Sequence, residues 1–363
     1  MKVVSPVLKR LIYPSLAATG YFRRMIGSGP AVVTYHGVMP QGYRSIDANL
    51  DGSLVAPDAL RRQIQLLQKS YSVISPEQFR RWCCSGEALP PRSVLITCDD
   101  GLLNTVTDML PILQETGVSC LFFVLGDALS RHASLLWYEE LYLMLLCAEQ
   151  RTFFVPELGS VSTGRGNTRT LWLELVSKLS AHDAGSRRKL LDRISGEIGG
   201  DKAFHQEDEV WRRRFLLADE TGLRTLIAAG MAIGAHSMSH CMLSRARDEE
   251  VQRETQESRR VLSGTLNLPI WAFAYPFGDQ ASVGQREIRF AERAHFDCAF
   301  VNCDGGFGAE FNQFAIPRVH VTRDMTIGEF EAHVSGFYRR LRRSFSRTQS
   351  LPVQANQHAG EAL

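Results

Sequence analysis

Short apolar runs alternate along the chain with stretches whose apolar residues recur every three or four positions. The runs at 31–35, 93–97, 119–124, 231–234, 271–274, 299–301 and 316–321 predict seven strands. Between them, residues 58–69 carry Leu60, Ile64 and Leu67 at helical spacing, and Ser75-Pro76-Glu77 opens a further helix by N-cap chemistry. The same periodicity predicts helices at 104–116, stopped by Gly117, and at 135–147, 218–229, 248–262, 287–294 and 328–343. Repeated strand–helix alternation implies an α/β fold around a parallel sheet, open or closed into a barrel. The polar clusters follow the carboxyl ends of their strands, where such folds place their chemistry.

The rhythm fails in three places. Residues 150–215 show a Gly/Thr/Ser-rich stretch followed by polar helices, with no strand pattern; together with the apolar helix before them, about 130–215 reads as a helical insertion, a cap or lid. Residues 1–29 form a basic, amphipathic leader. Its apolar part is too short to span a bilayer and lacks a signal-peptide cleavage site, so a docking arm packed on the domain is expected, with a helix on a membrane surface as the alternative. Residues 344–363 read as a polar, disordered tail. The domain proper is therefore 30–343.

Composition changes this picture little. The 363 residues are 44% apolar, enough for a sizeable core, and the net charge of +2 does not suggest nucleic acid as a partner. Eight cysteines show no framework spacing, and Cys98 and Cys120 fall inside strands. Free thiols in a reducing, cytoplasmic compartment are expected, with peripheral membrane contact left open. Oligomeric state is not legible.

The candidate chemistry begins at Thr97-Cys98-Asp99-Asp100-Gly101, where an apolar strand stops at two adjacent carboxylates. Successive residues of an extended chain point opposite ways, so the two acids are expected to do different jobs. His236 and His240 are four apart; on a helical turn both imidazoles would meet one ion. With ten histidines in the chain such a pair is a weak signal alone. Joined to one carboxylate, it makes a three-ligand site with an open position, the pattern of a catalytic divalent metal, and leaves the other carboxylate beside it.

These residues resemble the polysaccharide deacetylases, the NodB-type carbohydrate esterases. Thr97-Cys98-Asp99-Asp100-Gly101 resembles their T-F-D-D-G, His236-Ser237-Met238-Ser239-His240 their H-[ST]-x-x-H, and Ala274-Tyr275-Pro276-Phe277-Gly278 their third motif. Tyr35-His36-Gly37-Val38 is similar to the opening of the exopolysaccharide-associated branch. The resemblance implies a distorted (β/α)7-type barrel and a metal-dependent hydrolase acting on an acetylated oligo- or polysaccharide. By motif position it implies Asp99 as base, Asp100, His236 and His240 as ligands of a divalent metal, usually zinc, and the Phe277 N–H at the oxyanion position. In the implied mechanism a metal-bound water, its pKa lowered from about 15.7 towards about 7, is the nucleophile.

His320 resembles the family's final histidine only loosely and is the candidate acid for the leaving amine. His36 and Tyr275 are pocket candidates. Three departures stand out. Cys98 replaces the usual phenylalanine, Ala274 stands where many relatives place an arginine that steadies the base, and the insertion is long. Arg318, near a strand end, is the candidate to replace that arginine. The basic run Arg339, Arg340, Arg342, Arg343 and Arg347, with Phe337, Leu341 and Phe345 between, reads as a solvated helix end or a contact for anionic lipid. Two rival readings are a same-fold amidohydrolase on a non-sugar amide and a silent carbohydrate-binding relative.

Overall fold

The computed structural model describes residues 7–25, 29–48, 50–129, 135–164, 166–198, 208–279, 281–303 and 311–345. Its strands are β1 (Ala31–Tyr35), β2 (Ser72–Ile74), β3 (Ser93–Cys98), β4 (Leu121–Val124), β5 (Arg151–Val155), β6 (Gly159–Thr163), β7 (Ala232–Ala235), β8 (Ala272–Ala274), β9 (Cys298–Val301), β10 (Ile316–Pro317) and β11 (Val319–His320). All but β5 and β6 form one parallel sheet in the order β10-β9-β8-β7-β4-β3-β1-β11, with β2 also on β3.

The two ends of that order are neighbours in sequence. Pro317 is in register with Val301 of β9, and Val319 with Val33 of β1. One extended segment therefore touches both edges, and the sheet is nearly closed into a barrel, as expected. The predicted last strand, 316–321, is thus two pairings divided at Arg318.

Period-two alternation sorts the strand residues between two layers. Val33, Tyr35, Ile96, Cys98, Phe122 and Val124 pack outward with the surrounding helices. These are α2 (Pro57–Ser70), α4 (Leu110–Thr116), α9 (Glu220–Ala228), α10 (Asp248–Leu266), α11 (Gln285–Arg293) and α12 (Ile327–Val334), which follow α1 (Tyr13–Ala18) and the other helices in chain numbering. Val32, Leu95, Phe123, Ala272 and Phe300 line the other face, with Phe79 of α3 (Pro76–Ser85) packed among them. The predicted cap of α3 is present as a capping box between Ser75 and Gln78.

The insertion contains α5 (Trp137–Cys147), α6 (Thr168–Leu179), α7 (Ala184–Ile198) and α8 (Glu209–Phe215), with its own cluster of Trp137, Leu141, Leu175 and Ile194. It is not purely helical. β5 and β6 pair as an antiparallel hairpin, and buried Phe153, Val155 and Val161 alternate with exposed residues. The Gly/Ser/Thr composition of 159–168 hid that alternation. The predicted closing helix is broken as well. Gly336, at φ +75°, separates α12 from α13 (Phe337–Phe345).

The leader is a docked arm over its described part. Tyr13 and Phe22 are fully buried against Ala332 and Phe337. Lys9–Glu329 and Arg23–Glu331 ion pairs, both at 3.2 Å, fasten it to α12. All eight cysteines are free. The tail beyond 345 lies outside the described residues.

Candidate metal and catalytic site

β3 delivers its two carboxylates through a backbone reversal. The Asp99 N–H still donates to the Tyr35 carbonyl at 2.9 Å, as a strand residue would. Asp100 then takes φ +72° and Gly101 φ +68°. A Cβ on Gly101 would stand 2.9 Å from Val124 Cγ1, so glycine is required there. Asp99 stays in phase with Leu95, while the turn aims Asp100 elsewhere.

His236 to His240 follow β7, but not on a helix. Ser237 at φ +64° and His240 at φ +54° fold these five residues into a tight loop. Among the described residues seven non-glycine positions have positive φ, and four of them, Asp100, Ser237, His240 and Phe277, lie within the three motifs. Such strain persists where the surroundings over-determine it. Here the Ser237 Oγ accepts from the His240 N–H at 3.0 Å. Glu254 of α10, fully buried, accepts from the Met238 N–H, the Ser239 N–H and the Ser239 hydroxyl at 2.7–2.9 Å. The insertion holds the same loop from outside. Trp137 Nε1 donates to the His240 carbonyl at 3.0 Å, and Arg187 donates to Ser239 Oγ at 2.8 Å while lying over the Trp137 ring.

The result is a cluster of three buried donors. One ligand atom each of Asp100, His236 and His240 lie within 4.8 Å of one another, the only such group among the described residues. Asp100 Oδ1 makes no well-formed hydrogen bond. It stands 3.4 Å from His236 Nε2 and 3.3 Å from His240 Nε2. Burial pushes the Asp100 carboxyl up, but the imidazoles of His236 and His240 outweigh it and hold it well below the usual carboxylate range. His236 Nδ1–H donates to the Ala274 carbonyl at 2.8 Å, which leaves the Nε2 lone pair facing Asp100. Two nitrogens and one carboxylate oxygen, buried and converging, fit a divalent ion such as zinc.

Asp99 is held differently. Arg318, buried at the seam between β10 and β11, forks onto it with Nη1–Oδ1 at 2.7 Å and Nη2–Oδ2 at 2.6 Å. The guanidinium also donates to the Val301 carbonyl and lies over Phe123 and Phe300. Burial raises the Asp99 pKa, and the Arg318 charge more than offsets it, so the carboxyl is lowered and ionised. Ala274 carries no charge, and the arginine paired with Asp99 is Arg318.

The remaining candidates divide. Phe277, at φ +63°, packs its ring 5.0 Å from His240. His320 stacks near His36, ring centroids 4.8 Å apart, with Nε2 3.2 Å from Ser53 Oγ. Burial, then the neighbouring His36, pushes the His320 pKa down to about 3, so it is neutral at physiological pH. His36 Nδ1 is buried without a hydrogen-bond partner. Tyr275 is core: its ring packs on Phe273 and its hydroxyl donates to the Phe314 carbonyl. The ring of Tyr138 of the insertion lies 5.3 Å from His240 and 6.4 Å from Phe277. Glu254, Arg187 and Trp137 carry no sequence signal for their roles. Each is an ordinary residue of a charged or apolar helix.

A nearly closed parallel barrel with this cluster at its rim defines a class. The sequence model of the polysaccharide deacetylase family matches residues 203–292, a stretch that includes His236, His240 and Phe277. The fold is shared with the Streptococcus pyogenes deacetylase PplD in complex with acetate, at TM-score 0.53, 15% identity, 85% of this chain and 99% of that one. IcaB from Ammonifex degensii aligns at TM-score 0.52 and 16% identity over 85% and 98%. A de-N-acetylase from Aggregatibacter actinomycetemcomitans aligns at 0.53 and 10% over 84% and 99%. No curated protein matches the sequence. The polysaccharide deacetylase model thus matches about a quarter of the chain, and the fold is one shared with solved deacetylases.

Proposed function

We propose that this chain is a divalent-metal-dependent deacetylase of an acetylated sugar in a bacterial polysaccharide or its precursor. The observation that carries it is the pairing of three converging buried donors, Asp100, His236 and His240, with a separate ionised acid, Asp99. A divalent ion held by the three donors supplies Lewis-acid polarisation of the acetyl carbonyl and a more acidic water at neutral pH. Asp99 accepts the water's proton during attack, and Arg318 keeps it ionised and aimed. The Phe277 N–H donates to the developing oxyanion. The proton that Asp99 takes from the water is passed on to the nitrogen as the C–N bond breaks, with His320, neutral before substrate arrives, as the candidate relay between them, so that acetate and amine leave and Asp99 returns to its ionised form.

The test pairs metal analysis of the purified protein with acetate release from N-acetylglucosamine oligomers. The wild type is expected to hold about one zinc and release acetate; Asp99→Asn keeps the metal and loses turnover, and Asp100→Asn loses both. Acetate release unchanged in Asp99→Asn would overturn the assignment. Metal binding without acetate release points instead to a silent binder, and hydrolysis of cyclic amides alone to an amidohydrolase.

A further inference from the structure

We propose that the N-terminal arm lays its outer face on an anionic lipid surface. The arm is apolar on both sides. Its inner side, with Leu8, Tyr13, Leu16 and Ala17, packs with Ala332, Phe337 and Tyr338. Its outer side carries Val7 at 55% exposure, Leu11 at 64% and Ile12 at 39%, with Pro14 and Ala18 also exposed. Val7, Leu11, Pro14 and Ala18 recur at helical spacing, so the uncovered side is a stripe and not a scatter. A helix with a second apolar stripe left uncovered suits a second apolar neighbour, and the domain supplies only the first.

The exposed apolar surface of the molecule is concentrated here. Of the eight large apolar side chains exposed among the described residues, Val7, Leu11, Ile12 and Tyr21 are on the arm. Ile327 is a fifth beside it: a Cβ on the adjacent Gly328 would stand 3.0 Å from the Tyr13–Pro14 backbone.

Charge selects the occupant. Residues 1–46 contain six Lys or Arg and no Asp or Glu. Glu329 and Glu331 engage Lys9 and Arg23 on the docked side, whereas Arg10 and Arg24 are exposed. The adjoining α13 adds Arg339, Arg340 and Arg342. A second copy would set basic arm against basic arm with no acid opposite. Lipid head groups bearing phosphate supply the missing charge, and the acyl boundary supplies the apolar side. Among the described residues no helix is long and apolar enough to cross a membrane, so the contact is a surface one.

This inference stands on the arm and not on the proposed activity, so its test reads binding alone. The full-length protein is sedimented with vesicles of phosphatidylcholine, with and without phosphatidylglycerol. Binding is expected only to the anionic vesicles and should weaken with salt. Leu11→Gln with Ile12→Gln, and separately Arg10→Gln with Arg24→Gln, should each weaken it at least about tenfold without changing Tm. Wild-type protein left in the supernatant, or variants that sediment like wild type, would overturn the proposal. So would a dimer in sedimentation velocity that the Leu11/Ile12 variant dissolves, which assigns the face to a second copy.

Discussion

Arg318 and Asp99, 219 residues apart, meet inside the barrel as a two-pronged ion pair with both side chains out of solvent. Removing one partner of such a pair strands the other charge in a low-dielectric interior, which costs roughly 3–5 kcal/mol. Arg318→Met is therefore expected to destabilise by that order in denaturant unfolding. Asp99→Asn in the same chain should recover part of the loss, because the two changes are not additive. Arg318→Lys keeps the charge but not the fork, and kcat should fall by about 10–100-fold with KM little changed. Full activity in Arg318→Lys would mean that the acid does not depend on its alignment.

The insertion reaches the loop that carries His236 and His240 through Trp137 and Arg187. Trp137→Phe keeps the ring and deletes the N–H that holds the His240 carbonyl. Outer contacts of this kind typically tune metal affinity by about 10–100-fold. Zinc affinity measured by competition with a chromophoric chelator should fall within that range, with Tm nearly unchanged. Arg187→Met, which removes one of the two side-chain partners of the Ser239 hydroxyl and leaves Glu254, should act in the same direction.

Asp127 gives the pH dependence of stability. Burial and the nearby Glu254 charge push its pKa up to about 6 from an ordinary 3.8. Its folded form therefore holds a proton that the unfolded chain releases at lower pH. The contribution of this one group to stability is fullest below about pH 4 and is lost as pH rises through about 6. Asp127→Asn should raise Tm at pH 7–8, by at most about 3 kcal/mol in stability, and leave it unchanged near pH 4. An equal effect at both pH values would exclude this origin.

If His320 relays the proton to a leaving amine, the need for it should follow the leaving group. His320→Gln is expected to slow amide hydrolysis by about 10²-fold or more and to spare aryl acetates, whose phenolate departs unaided. Equal slowing of both substrates would assign His320 to binding alone.

Most strands and the order of chemical motifs were legible because a buried parallel strand leaves a continuous apolar run and its end leaves a polar cluster. That Asp99 and Asp100 face different partners was legible as an expectation from strand alternation, but the direction of Asp100 is set by the left-handed turn at Asp100-Gly101, which alternation does not show. The loop conformation at His236–His240 was not. Helical spacing also suits a loop with two left-handed residues, and only Ser237 Oγ and Glu254 select it. The β5–β6 hairpin was hidden because β6 has serines on its outer face and β5 has the exposed Phe154 on its outer face, which blurs the alternation. The split of the last strand at Arg318 was hidden because one extended segment pairs on both sides. Arg187 and Glu254 sit among other charges on charged helices, so burial alone distinguishes them.

The seam has a temporal consequence. During synthesis the carboxylate and both imidazoles emerge well before residue 318, and the ring stays open until the segment 316–320 slots between its two edges. Until that moment the nascent polypeptide owns a complete set of donor atoms and an untethered acid. Ring closure and the pairing of Arg318 with Asp99 therefore depend on the same short segment.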